Sequence, residues 1–193
     1  ASIIWLLAAA VLMKYGNDGL SNYLTTLFRQ HWFGIASAVI LLASFWIAAI
    51  SLHDSQMGPQ QLLYILVSVW LADTGGYFAG KKWGKKALAK AVSPNKTWEG
   101  VWGALILIII WAIVAFEIGL AGSLSMQTWL LLTLLSVAMS IVGDLFESLF
   151  KRSHNIKDSG NLLPGHGGVL DRIDSLIAAV PIFVAGLILT GAL

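Results

Sequence analysis

The feature that most limits what this chain can fold into is a succession of apolar stretches, each near the length needed to cross a bilayer, separated by short polar connections. A membrane-spanning helix needs about 20 mostly apolar residues, because every backbone N–H and C=O in hydrocarbon must be satisfied inside the helix. Residues 33–52, 61–80, 101–121, 127 to about 146, and about 173–193 meet that length, whereas 1–13 is apolar but too short to span. Composition agrees, since 58% of the 193 residues are hydrophobic and 11% are charged, against roughly 25% charged in a soluble domain. The expectation is an all-α, polytopic membrane bundle of about six segments, forming a single domain over 1–193. Because the first segment is short and opens without Met, the chain is read as N-terminally truncated, the C-terminal part of a longer protein.

There is no cysteine, which excludes disulfides, thiolate metal sites and a Cys nucleophile. The net charge of +2 is too small to suggest a nucleic-acid partner, and its distribution is more informative. Lys14 and Arg29 flank the first connection; Lys81, Lys82, Lys85, Lys86, Lys90 and Lys96 crowd the third; Lys151, Arg152 and Lys157 sit in the fifth. The second and fourth connections, 53–60 and about 122–126, hold no Lys or Arg. The positive-inside rule then puts the odd connections in the cytosol, so the site is expected to face the cytosol; the expected location is the cytoplasmic (inner) membrane. The lysines also suit a purely topological role or attraction to anionic lipid, neither of which excludes substrate binding. The polar stretch 17–30 reads as a loop or an interfacial helix, and the nine Trp, scattered near segment ends, as interfacial anchors.

Nine of the 22 charged residues fall within 143–175. On a helix, Asp144, Glu147, Ser148 and Lys151 would share one face, and Asp171 and Asp174 repeat the three-residue spacing. Between the two carboxylate pairs lies Leu163-Pro164-Gly165-His166-Gly167-Gly168, whose glycines permit a tight turn with backbone N–H groups left free. Four carboxylates among several cations form the inventory for a hard divalent cation such as Mg²⁺ holding phosphates. Structural ion pairing across helix ends is the alternative for each of them. Asp73 lies inside an apolar segment, where a charge costs about 2.5–3.5 kcal/mol. It is expected to face the bundle interior and meet a cation or ligand, or else to sit hydrated near the cytoplasmic end.

Gly75, Gly76 and Gly80 suit close helix packing. Gly75-x4-Gly80-Lys81 superficially resembles a phosphate-binding P-loop, but Lys82 stands where Ser or Thr should bind Mg²⁺ and no strand precedes it. Ser93-Pro94-Asn95-Lys96-Thr97 offers two hydroxyls, an amide and an ammonium, opening a helix at Thr97 whose N-terminus would favour phosphate. Ser93 before Pro94 also suits a plain cap. Glu117 reads as interfacial. His154 and His166 are not spaced like a zinc pair and read as structural, with a hydrogen bond from His166 to phosphate or a carboxylate as the other reading.

The run Ser148-x-Phe150-Lys151-Arg152-x4-Lys157-Asp158-x-Gly160-x2-Leu163-Pro164-x-His166-Gly167-Gly168-Val169-x-Asp171-Arg172-Ile173-Asp174 resembles the signature of the phosphatidate cytidylyltransferases, or CDP-diacylglycerol synthases, of bacterial type. Asp73-Thr74-Gly75-Gly76-Tyr77, residues 93–100 and Gly143-Asp144-Leu145 extend the likeness to roughly 62–185. The resemblance implies a transferase of phospholipid biosynthesis that makes CDP-diacylglycerol and pyrophosphate from CTP and phosphatidic acid. It also implies Mg²⁺, with room for a second cation, and a homodimer. Asp144 and Asp171 would be the principal metal ligands, with Glu147 and Asp174 completing or orienting the shell. Lys151, Arg152, Lys157 and Arg172 would hold the triphosphate and the lipid phosphate. Ser93, Asn95, Lys96 and Thr97 would hold nucleotide, Asp158 would position Lys157, and Asp73 and His166 would lie near the substrates.

Two rivals stand beside this reading. Another membrane enzyme using CTP on a lipid, such as a polyprenol kinase or an ether-lipid cytidylyltransferase, differs in its acceptor and, for the kinase, its product. A transporter would also explain intramembrane Asp73 and Asp144 with Gly-interrupted helices, but charge clusters on one side and no inverted repeat is visible.

Overall fold

The computed structural model describes residues 2–156, 158–160 and 168–193. Its helices are α1 (Ser2–Tyr15), α2 (Asn22–Arg29), α3 (His31–His53), α4 (Gly58–Trp83), α5 (Trp98–Glu117), α6 (Met126–Ser153) and α7 (Leu170–Leu189). Strands β1 (Ala87–Ala89) and β2 (Ser93–Thr97) lie between α4 and α5. α3 to α7 are each 20 to 28 residues long and apolar enough to cross a membrane. At about 1.5 Å per residue, 20 residues already reach the roughly 30 Å of the hydrocarbon core. α1, with 14 residues, is the sixth apolar segment and stays short. The molecule is a multi-pass membrane bundle.

Helix ends differ from the apolar count where local chemistry intervenes. α5 stops at Glu117 although apolar residues continue to Ala121. Gly119 takes φ 84°, Leu120 N–H donates to Ala115 O at 3.0 Å and Gly119 N–H to Phe116 O at 2.9 Å, a Schellman closure that a left-handed glycine permits. α6 runs on to Ser153, beyond the apolar limit near Phe146, because charges at i,i+4 spacing pair along it. The polar stretch 17–30 resolves into α2, capped by Ser21 Oγ accepting from Leu24 N at 3.4 Å.

α7 is the axis of the bundle. Ala178, Ala179, Val180, Phe183 and Leu187 are all buried on it, packed among α6, α3, α4 and α1. The outer face of α3, with Ile35, Val39, Trp46 and Ile47, is exposed, as a lipid-facing surface must be. The core is built on Tyr64, Trp129 and Phe183, with ring centroids 4.5 Å apart for Tyr64 and Trp129 and 5.8 Å for Trp129 and Phe183. Their polar atoms are satisfied: Tyr64 OH lies 2.7 Å from Thr133 Oγ1 and Trp129 Nε1 donates to Ala112 O at 3.1 Å. Trp5 and Trp129 are therefore core residues, not the interfacial anchors expected of them, while Trp32, Trp46, Trp83 and Trp102 are exposed.

Glycines set the helix approaches that position the charged end. A Cβ on Gly75 would stand 3.0 Å from Gly103 O, and one on Gly100 2.8 Å from Gly76 O, so α4 and α5 touch backbone to backbone. On α6, a Cβ on Gly143 would meet Asp174 O at 2.7 Å, which brings the neighbouring Asp144 beside α7. The connection from α4 to α5 is an antiparallel hairpin with Ala87 opposite Thr97 and Ala89 opposite Ser93, a small departure from an all-α chain. Glu99, in the first turn of α5, accepts from Lys85 N at 3.1 Å and Lys86 N at 3.3 Å and ties the hairpin down. All the described Lys and Arg lie at this one end of the bundle, on the connections α1–α3, α4–α5 and α6–α7 or the adjoining helix turns.

Candidate active site

Two cavities meet at the cationic end and share Asp73 and Asp144 as walls. The first, about 390 Å³, lies between α4, β2, α5 and α6 and is lined by Ser93, Asn95, Lys96, Thr97, Gly76 and Gly100 besides the two aspartates. That volume is in the range of small-molecule sites, about 300–1,000 Å³. Lys96 reaches from the hairpin to ion-pair with Asp144 Oδ2, and Asp144 Oδ1 accepts from Ser148 Oγ at 3.4 Å. Asp144 is nine residues before the end of α6, which places it about 14 Å along the helix from that end. Asp73 opens onto both cavities without a hydrogen-bond partner among the described residues, within electrostatic reach of Lys96. Thr97 caps α5, its Oγ1 accepting from Gly100 N at 3.2 Å. Ser93 is the first residue of β2 and caps no helix.

The second cavity, about 310 Å³, is walled by Asp73, Asp144, Lys151, Asp171, Arg172 and Asp174 from α4, α6 and α7. Lys151 Nζ stands 2.5 Å from Glu147 Oε2 and 2.6 Å from Asp171 Oδ1. Asp171 also accepts from Ser159 N at 3.0 Å, Ser159 Oγ at 2.9 Å and Gly168 N at 2.7 Å. It thus ties Ser159 and Gly168 to α7. Gly168 has to be glycine there, since a Cβ would lie 2.9 Å from Gly160 N. Asp174 Oδ1 accepts from Ser175 N at 2.6 Å. Glu147 Oε1 is buried and has no hydrogen-bond partner among the described residues.

Among the described residues no three acidic or histidine side chains converge into a ready cluster for a metal ion. The donor set nonetheless fits Mg²⁺, which takes hard oxygens and commonly uses only one or two carboxylates, with water and phosphate filling the shell. Asp144 and Asp171 face the same polar cavity from different helices, and each is held by a lysine, Lys96 or Lys151.

The structure thus brings together Asp73, Asp144, Asp171, Asp174, Glu147, Lys96, Lys151, Arg172 and the Ser93–Thr97 strand. It does not bring Arg152 to them: its neighbour Lys151 faces α7, while Arg152 lines a separate surface cleft with Arg29, Thr25 and Asn155. Arg29 Nε donates there to Ser153 O at 2.7 Å. Asp158 is exposed, and Lys157 and His166 lie outside the described residues. His154 is structural, with Nδ1 3.1 Å from Phe150 O and its ring against Phe150. Sequence reasoning missed Ser159 and Glu99 as hydrogen-bonding partners; neither carries a local pattern that would have revealed it.

A third space adjoins the polar cavity at Asp174. It is an apolar groove of about 130 Å³ between α1, α3, α6 and α7.

Residues 1–189 match the model of the cytidylyltransferase family. Over 134 residues the chain is 49% identical to phosphatidate cytidylyltransferase of Haemophilus influenzae, covering 68% of this chain and 46% of that protein. Over 185 residues it is 41% identical to the protein of the same name in Pseudomonas aeruginosa, covering 96% of this chain and 66% of that one. The Bacillus subtilis protein of that name is 41% identical over 126 residues, 65% of this chain and 46% of its own length. The matched region spans between about half and two thirds of the length of these curated relatives. With residues 1–189 of its 193 matched to one family model, the chain belongs to the cytidylyltransferase family.

Proposed function

We propose that the protein containing this chain transfers a cytidylyl group from CTP to phosphatidic acid, giving CDP-diacylglycerol and pyrophosphate, from a site that faces the cytosol in the inner membrane. The observation that carries the reading is the pair of adjoining cavities sharing Asp73 and Asp144 at the cationic end of the bundle. The relatives' printed name supports the reaction. The lysine-rich end supports the orientation, because translocation disfavours positively charged connections.

In the step itself, a phosphate oxygen of phosphatidic acid attacks the α-phosphorus of CTP. The new O–Pα bond forms as the bond from Pα to the bridging oxygen breaks, and that oxygen leaves on pyrophosphate. The attacking phosphomonoester is already largely dianionic near pH 7, so little is asked of a general base. Alignment and charge neutralisation are what the protein has to supply. The hairpin strand, with Ser93, Asn95, Lys96 and Thr97, is suited to hold the nucleotide in the larger cavity. Lys151 and Arg172 are suited to hold phosphates in the polar one. Asp144 and Asp171, with Glu147 and Asp174 beside them, are the residues that would hold Mg²⁺, which supplies electrostatic stabilisation of charge building on the phosphate oxygens.

The test is product formation by the full chain in liposomes from labelled CTP, with phosphatidic acid or a polyprenol as acceptor, with and without Mg²⁺. CDP-diacylglycerol and pyrophosphate that depend on phosphatidic acid are expected, and Asp171→Asn should abolish them in a protein that remains folded. CDP with a lipid monophosphate would instead identify a kinase, and near-normal turnover by Asp171→Asn would remove Asp171 from the mechanism.

A further inference from the structure

At its charged end α4 carries three polar side chains one turn apart, Asp73, Tyr77 and Lys81, and their i,i+4 spacing sets them on one face. Asp73 is the innermost, on the wall that both cavities share. Tyr77 lines the larger cavity and is the one aromatic residue to do so among the described residues. A helical side chain leans towards the N-terminus of its helix, so the phenol ring lies over the turn that carries Asp73. Lys81 Nζ donates to the Tyr77 hydroxyl at 3.4 Å and stands 5.6 Å from the ring centroid. The ammonium is nearer the hydroxyl than the ring, and steadies the phenol from its outer edge without covering its face.

An exposed aromatic near a helix end commonly serves to anchor the helix at the membrane interface. Phe78 and Trp83 are exposed to the same degree, 64% and 59% against 60% for Tyr77, yet neither lines the cavity. Tyr77 alone of the three combines an accessible ring with a place on the cavity wall. The other apolar residues of that wall, Ala72, Leu88, Val101, Ala104 and Ile141, are aliphatic and offer no π-face. The position along α4 fits a nucleobase. In the proposed reaction the α-phosphorus has to sit where the two cavities meet, beside Asp73, because the acceptor phosphate is held in the polar cavity and the nucleotide in the larger one. Four residues along a helix span about 6 Å, close to the separation of an α-phosphate from its base across the ribose.

We propose that Tyr77 is the platform on which the pyrimidine ring of CTP stacks, with Lys81 fixing the phenol from its hydroxyl end. The proposal rests on the reading of this protein as a cytidylyltransferase that holds its nucleotide in the larger cavity. Stacking is indifferent to the substituents that tell one base from another, because every base has a π-face. Tyr77 is therefore a residue of nucleotide affinity and positioning, and base selectivity is left to hydrogen-bonding groups.

The experiment measures KM for CTP and for phosphatidic acid, and the inhibition constants of CMP and pyrophosphate, for the full chain in liposomes. Wild type is compared with Tyr77→Ala, Tyr77→Phe and Phe78→Ala. These constants do not depend on the fraction of protein that is folded. Tyr77→Ala should raise the KM for CTP and the inhibition constant of CMP about tenfold, with pyrophosphate inhibition and the KM for phosphatidic acid unchanged. Tyr77→Phe, which keeps the ring and loses the hydroxyl, should recover most of that loss. Phe78→Ala should match wild type, which an interfacial role shared by the exposed aromatics would not allow. An unchanged KM for CTP in Tyr77→Ala overturns the platform and leaves the cytidylyltransferase reading intact. So does an equal effect at Phe78, or a pyrophosphate constant that rises as far as that of CMP, which would make Tyr77 and Lys81 holders of phosphate instead. Absence of any CDP-lipid from folded wild type overturns the cytidylyltransferase reading and the platform with it.

Discussion

Replacing Lys151 by Met would separate what the buried charge network does for the fold from what it does for the reaction. Lys151 Nζ lies 2.5 Å from Glu147 and 2.6 Å from Asp171, and the three side chains are 14%, 10% and 11% exposed. At such distances and an effective dielectric constant of about 20, each attraction is of the order of 6 kcal/mol before desolvation is counted. Removing water from the three charges offsets much of this. Deleting one partner alone leaves charges buried without compensation, at a cost of about 3–5 kcal/mol. Asp171 keeps its bonds from Ser159 and Gly168, so the larger share of the loss should fall on Glu147, whose Oε1 has no hydrogen-bond partner among the described residues. SDS titration of the detergent-purified protein should therefore show Lys151→Met unfolding at markedly lower detergent. The double variant Glu147→Met/Lys151→Met, which removes both charges and adds apolar volume, should recover most of that loss. Both variants should lose most of their turnover, since only Arg172 of the two cations lining the polar cavity remains. An unfolding midpoint for Lys151→Met equal to wild type, or a double variant as unstable as the single, would refute the view that this network is desolvated.

Three further outcomes follow from particular contacts. Gly103→Val would drive its Cβ into the Ala79 methyl and to 2.9 Å from Gly75 O, so α4 and α5 must part; the same SDS titration should show a loss of about 1–3 kcal/mol. Thr97→Ala removes the bond that Gly100 N–H donates to Oγ1 at 3.2 Å and should cost about 1 kcal/mol, with faster amide exchange in the first turn of α5, while Thr97→Ser should restore both. The proposed metal requirement predicts that EDTA abolishes turnover and that added Mg²⁺ restores it. In the Asp144→Asn variant, Mg²⁺ titration should show weaker binding by calorimetry in the presence of CTP, and an unchanged affinity would exclude Asp144 as a ligand.

Read residue by residue, the chain already shows its long apolar segments, the connections that carry the cations, and the motif residues that mark the family. All of these are properties summed locally along the chain: burial in hydrocarbon depends on about 20 consecutive residues, and charge bias on each connection separately. The pairing of Glu147 with Lys151 was legible for the same reason, since helical spacing alone puts residues four apart on one face. Where each helix turns its faces depends instead on how the segments pack. The rotation of α6 that directs Lys151 to Asp171 leaves Arg152, one residue on, in another cleft with Arg29. Close approach at Gly143 brings Asp144 beside α7, and the hairpin carries Lys96 across to Asp144. Trp5 and Trp129 looked like interfacial residues and are buried. Hydropathy records how apolar a residue is; which atoms it meets depends on the rotation and depth of neighbouring helices, and those follow from packing among segments far apart in sequence.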